Sequence, residues 1–163
     1  MRNKFDMQLE LLNEQLTRMG ELCELAINRV TKALVDGNLD QVKMITDMER
    51  IGDQTADIAE IIISAGMSEA GDVKKIEEMS AGVARMVNDS VTAYVERDLE
   101  LARKVMEADD NIDKLFDEIR ASIIKLIAEG NKGEQGVDLV MISKYLERIG
   151  DHAMNICGYT KTI

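Results

Sequence analysis

Apolar residues recur at Leu9, Leu12, Leu16, Met19, Cys23, Ala26, Val30 and Ala33 without a break. A spacing of three and four, held over that length, is the stripe of a long amphipathic helix. It fits no strand, whose side chains alternate with period two. Proline is absent from all 163 residues, so the strongest helix breaker interrupts nothing. The stripe stops at Asp36–Gly37–Asn38, where Gly37 suits a C-terminal cap and Asn38 the N-cap of a following helix.

The same periodicity predicts a second helix over residues 39–63, with Val42, Ile45, Met48, Ile51, Thr55, Ile58 and Ile62 facing inward. Small residues and two glycines between positions 64 and 72 read as a loop. A third helix is predicted over 73–96. Asp98 then caps a fourth that runs to Ala128, with Ala102, Val105, Asp109, Ile112, Phe116, Ile119, Ile123 and Leu126 along its seam. Three glycines within 129–136 read as a loop, and a fifth helix follows over 137–159. The fold class is all-α, a helical bundle. With two Phe, no Trp and 11 Met, its core is built from Leu, Ile, Val, Met and Ala.

Charge narrows the partners. A formal net charge of −11 repels nucleic-acid phosphates and anionic membrane surfaces, and favours cations or basic protein faces. The two cysteines, Cys23 and Cys157, lack CxxC spacing and read as core residues. No apolar stretch is long enough to span a bilayer, and the N-terminal residues do not resemble a signal peptide. A soluble protein of the reduced cytoplasm is the expectation.

The chain repeats itself. Glu49–Arg50–Ile51–Gly52–Asp53 recurs as Glu147–Arg148–Ile149–Gly150–Asp151, 98 residues later. Met19, Asn28, Ala33 and Leu39 match Met79, Asn88, Ala93 and Leu99 at an offset of 60. The two offsets differ by 38, so the first repeat is shorter than the second by that many residues, lost after about Val42. The resulting division is a truncated first repeat over residues 1–66, with two helices, and a complete three-helix second repeat over residues 67–163.

Glu49, Asp53 and Asp57 follow one another at four-residue steps, as do Glu147, Asp151 and Asn155. Like charges at this spacing cost a helix about 0.2–0.5 kcal/mol per pair, and an interior glycine costs about 1 kcal/mol relative to alanine. Two copies of so costly a pattern call for compensation. A bound cation supplies it, because carboxylate oxygens are ligands for hard ions; solvated carboxylates paired with Arg50 and Arg148 are the simpler alternative. The glycines let a neighbouring element approach closely. Asp109 falls on the apolar seam of the fourth helix, with Asp113 one turn on. An unpaired carboxylate there wants a partner or an ion. If the fourth and fifth helices are antiparallel neighbours, Asp109 and Asp113 face Glu147 and Asp151. His152, the only histidine, points away from Asp151 and reads as a boundary residue.

The segments KMITDMERIGDQTADIAEI and ISKYLERIGDHAMNI, with the stretch from Met1 to Met19, resemble the PhoU family of phosphate-signalling regulators. The resemblance implies tandem three-helix bundles, often dimeric, with metal motifs on their helices. It implies a first metal cluster at Glu49, Asp53 and Asp57, and a second at Asp109, Asp113, Glu147 and Asp151. The ions would be divalent or ferric: iron, zinc, manganese or magnesium. The implied partners are the ATPase subunit of the phosphate ABC transporter and a sensor histidine kinase, with membrane contact only through them. The shortened first repeat departs from the pattern, since it lacks counterparts of Asp109 and Asp113. An enzyme is not expected. A ferritin-like di-iron protein needs Glu-x-x-His on two helices, and His152 is five residues after Glu147. A structural dimerisation module without metal is the other alternative.

Overall fold

The computed structural model describes residues 4–37, 39–65, 74–130 and 133–160. They form α1 (Lys4–Asp36), α2 (Leu39–Ser64), α3 (Lys74–Glu96), α4 (Leu99–Ala128) and α5 (Gly133–Thr160). No strand occurs among the described residues. The chain divides into two compact units, Met1–Ile45 and Thr46–Ile163. This division by packing falls inside α2, whereas the division by sequence likeness falls near residue 66.

The first unit holds α1 and the start of α2. Ala33 is buried, but Leu9, Leu12, Leu16 and Met19 are exposed. The stripe is helical as its spacing requires, yet largely uncovered. Cys23, expected in the core, is exposed for the same reason.

In the second unit α3, α4 and α5 each pack against both of the others. The core joins Met79, Val83, Met86 and Ala93 of α3 to Ala102, Val105, Ile112, Ile119 and Ile123 of α4. From α5 come Ile142, Leu146, Ile149, Ala153 and Cys157. The α4 seam is therefore the predicted one, with Asp109 and Phe116 half-buried at its margin and only Leu126 exposed. Burial pushes the Cys157 thiol up to about 11, with a smaller effect from Asp89, so it is an inert core residue, as expected.

Two predicted details differ. The fifth helix begins at Gly133, inside the expected loop. A Cβ at Gly136 would lie 3.0 Å from Ile123 Cγ2 and 3.2 Å from Ile127, so this glycine serves close packing on α4, not a turn. In α2 the buried face also differs in part. Met48 and Ile62 are exposed, whereas Asp47 is buried and Ile51, Ile58 and Ile61 pack on the core. The hydrogen bonds of Asp47, described below, hold this orientation.

A tight junction joins α3 to α4. Asp98 N–H donates to Ala93 O at 2.9 Å, closing the end of α3, and Arg97 adopts φ 59°. Asp98 Oδ1 then accepts from the backbone N–H groups of Glu100 and Leu101, each at 2.9 Å. The predicted N-cap is thus present, directly after a residue in the left-handed conformation that disfavours a Cβ. Asp98→Ala should destabilise the protein by about 1 kcal/mol, whereas Arg97→Gly should stabilise it by up to about 1 kcal/mol. Urea unfolding followed by circular dichroism measures both; equal midpoints for the two variants would contradict this account.

Candidate functional site

The two glycine–carboxylate motifs have unlike surroundings. A Cβ at Gly150 would lie 3.4 Å from Asp109 Oδ1 and 3.8 Å from Ile112 Cγ2 and Met86 Cε. These are ordinary van der Waals distances, so the packing of α4 on α5 leaves room for a Cβ at Gly150 and does not require the glycine, contrary to the expectation of a close approach. A Cβ at Gly52 would meet nothing within 4 Å.

Asp109 is half-buried. Burial, then the charges of Asp113, Asp151, Asp110 and Glu147, push its carboxyl up to about 6. Asp151 is also raised, by burial and by Glu147 and Asp113, against the lowering effects of Lys144 and His152. The four predicted carboxylates of α4 and α5 therefore share one electrostatic neighbourhood. Lys144 Nζ makes an ion pair with Glu147 Oε2 and lies 5.2 Å from the centre of the Phe116 ring. That Glu147 oxygen is buried, and the Lys144 ammonium is its partner. Glu49 and Asp53 on α2 are exposed and Asp57 is half-buried.

A hard cation fits this donor set in chemical kind, since carboxylate oxygens that repel one another are its ligands, although Lys144 already pairs with the buried oxygen of Glu147. The fit does not extend to convergence. Among the described residues, no three His, Cys, Asp or Glu side chains come together as ion ligands.

A second polar cluster escaped the sequence. Asp47, 4% exposed, accepts from His152 Nδ1 at 2.7 Å, Asn155 Nδ2 at 3.2 Å and Tyr159 Oη at 2.7 Å. Gln54 Nε2 lies 3.4 Å from His152 Nε2. A carboxylate only accepts, so His152 Nδ1 carries a hydrogen toward Asp47. Gln54 Oε1 is buried and unpartnered. His152 is half-buried, as a boundary residue is, and is also the centre of a junction between α2 and α5. The available signal was Gln54: it stands 98 residues from His152, the offset of the repeat. Equivalent positions of the two motifs thus face each other, as in elements related by a two-fold axis. Asp47 itself gave no signal, since its equivalent is Tyr145.

The architecture defines a class: an acidic, all-helical bundle protein with glycine–carboxylate motifs on two of its helices. Residues 76–160 match the model of the PhoU domain, and the chain belongs to the PhoU family. It is 40% identical over 121 residues to the phosphate-specific transport system accessory protein PhoU homolog of Clostridium acetobutylicum, covering 73% of this chain and 55% of that one. It is 35% identical over 119 residues to homolog 1 of Thermotoga maritima, covering 71% of this chain and 51% of that one. The chain thus spans about half the length of these two curated relatives. The match to the Aquifex aeolicus homolog, 27% identical, runs over 185 residues while covering 86% of this chain and 84% of that one. An alignment longer than this chain means that the relative carries internal residues absent here, in line with the shortened repeat. The fold is that of the crystal structure of the regulatory protein PhoU from Streptococcus pneumoniae, with a TM-score of 0.72 and 21% identity over 94% of this chain and 76% of that one. PhoU from Pseudomonas aeruginosa gives 0.70 and 22%, over 94% and 78%.

Two measurements check the site. Asp47→Ala strands three donors around a buried space and should cost about 3 kcal/mol in urea unfolding; a loss under about 1 kcal/mol would mean a solvated junction. Asp109 tests the carboxylate cluster. Its folded pKa of about 6 lies above its ordinary 3.8, so the folded state holds the proton more tightly. The stabilisation from protonation is complete below 3.8 and is lost as pH rises through about 6. Asp109→Asn should therefore raise the melting temperature of chelator-treated protein at pH 7 and flatten its dependence on pH between 4 and 6. An unchanged pH profile would show that Asp109 is not the titrating group.

Proposed function

We propose that the chain is a regulator of phosphate uptake and phosphate-starvation signalling that works by protein contact and not by catalysis. Its partners in this reading are the ATPase subunit of the phosphate ABC transporter and a sensor histidine kinase. What carries the reading is the PhoU domain match across α3, α4 and α5, reinforced by relatives whose name is that of a phosphate-transport accessory protein. No helix among the described residues is long and apolar enough to cross a membrane, which agrees with docking onto the cytoplasmic face of a membrane complex. The uncovered apolar stripe of α1 agrees with a homodimer.

The metal belongs to the same proposal. A divalent or ferric ion would be held by Asp109, Asp113, Glu147 and Asp151, with Glu49, Asp53 and Asp57 as a lesser cluster. It would offset their mutual repulsion and stiffen the α4–α5 contact. The support is the raised carboxyl of Asp109 and its cause, the neighbouring charges of Asp113, Asp151 and Glu147 beside burial. In a purely structural, metal-free module Lys144, with a lesser effect from His152, would be left to offset that repulsion.

One preparation tests both parts. Tagged protein recovered from phosphate-replete cells should bring down the transporter ATPase subunit or the kinase, and should contain metal. Asp151→Ala should weaken metal affinity by at least about tenfold and lower the melting temperature of the metal-loaded protein. Recovery of neither partner would overturn the regulatory reading. Equal metal content in the wild type and the variant would overturn the metal site and favour the structural module.

A further inference from the structure

Arg50 and Arg148, the arginines of the two repeated motifs, line one cavity of about 590 Å³ between α2 and α5, together with Gln54, His152, Asn155 and Asp151. In a chain of net charge −11, arginines would be expected to sit in ion pairs. Yet no ion pair or hydrogen bond joins either guanidinium to a described residue. Two planar donor forks from opposite helices, left open toward the same space, are the usual equipment for a tetrahedral oxyanion.

The acceptors of the cavity narrow the choice of oxyanion. Gln54 Oε1 is buried with no partner, because its amide nitrogen is directed to His152 Nε2. The Asp151 carboxylate also lines the cavity, and a carboxylate would repel an anion offering only acceptor oxygens. Gln54 Oε1 lacks a donor, and Asp151, at an exposed position, is able to accept one. Hydrogen phosphate has one: its P–OH can donate to Asp151 or to Gln54 Oε1 while its remaining oxygens accept from the arginines. Sulfate at neutral pH carries no proton. A phosphate monoester, with a second pKa near about 6, has largely lost its own. We propose that this cavity is a binding site for free inorganic phosphate, with Arg50 and Arg148 supplying the positive charge and Asp151 and Gln54 reading the phosphate proton. The site stands on the two unpaired arginines and does not depend on the regulatory reading above.

The test is calorimetric titration of the full chain, treated with chelator so that metal-bound phosphate plays no part. The probe is inorganic phosphate at pH 7, with sodium sulfate and adenosine monophosphate in parallel. Phosphate should bind saturably at one site, and sulfate and the monoester at least about tenfold more weakly. Arg50→Gln and Arg148→Gln, both at exposed positions, should each weaken phosphate by about tenfold or more, with unchanged circular dichroism. Asp151→Asn should narrow the gap between phosphate and sulfate. No saturable phosphate binding would overturn the proposal. Phosphate binding that survives both arginine substitutions would also overturn it, as an adventitious ion only. Equal affinity for phosphate and sulfate would remove the role of the acceptors, and tighter binding of the monoester would assign the cavity to an organic phosphate instead.

Discussion

Asp47 lies at a depth where an ionised carboxylate is tolerated only with its lone pairs occupied. Its partners His152, Asn155 and Tyr159 all come from one helix, so this one side chain attaches α2 to α5 at a defined rotation. That rotation decides which residues of α2 meet the core. Ile51, Ile58 and Ile61 turn inward, Met48 and Ile62 turn out, and Gln54 comes to rest against its repeat equivalent. The cavity that holds both motif arginines exists because the two helices are fixed in this way.

Apolar spacing made most of the fold legible. The α4 seam from Ala102 to Ile123 followed from it residue by residue, because every member faces a neighbouring helix and the burial is continuous. In α2 the same spacing placed Ile51 and Ile58 correctly on the core but misassigned Met48, Thr55 and Ile62, because the buried polar Asp47 shares that face and hydrophobicity does not reveal it. It also misjudged Cys23, which sits on a regular stripe that nothing in its unit covers. Gly136 was mistaken for part of a loop because glycine serves two ends, reversing a chain and letting helices touch, and the sequence does not distinguish them.

The candidate site was partly legible for the same physical reason. Asp109 stood out as a charge on an apolar seam, and Gly150 as a costly residue in a helix. In space the two are neighbours, with Asp109 Oδ1 at ordinary contact distance from where a Cβ of Gly150 would stand. The grouping of Asp109 and Asp113 with Glu147 and Asp151 followed from antiparallel packing of two neighbouring helices. The Asp47 junction was invisible because its partners lie 105 to 112 residues away in the chain and no motif links them.

The α3–α4 junction bears on the order in which the bundle assembles. Only Arg97 and Asp98 separate the two helices, so the loop-closure entropy of bringing them together is close to the smallest the chain offers. Contacts between near neighbours form early in helical proteins. The α3–α4 hairpin is thus the natural scaffold, and α5 docks onto it afterwards, carrying Glu147 and Asp151 toward Asp109 and Asp113. Repulsion among these carboxylates acts only once α5 lies against α4, so it opposes that packing step and leaves the α3–α4 hairpin untouched.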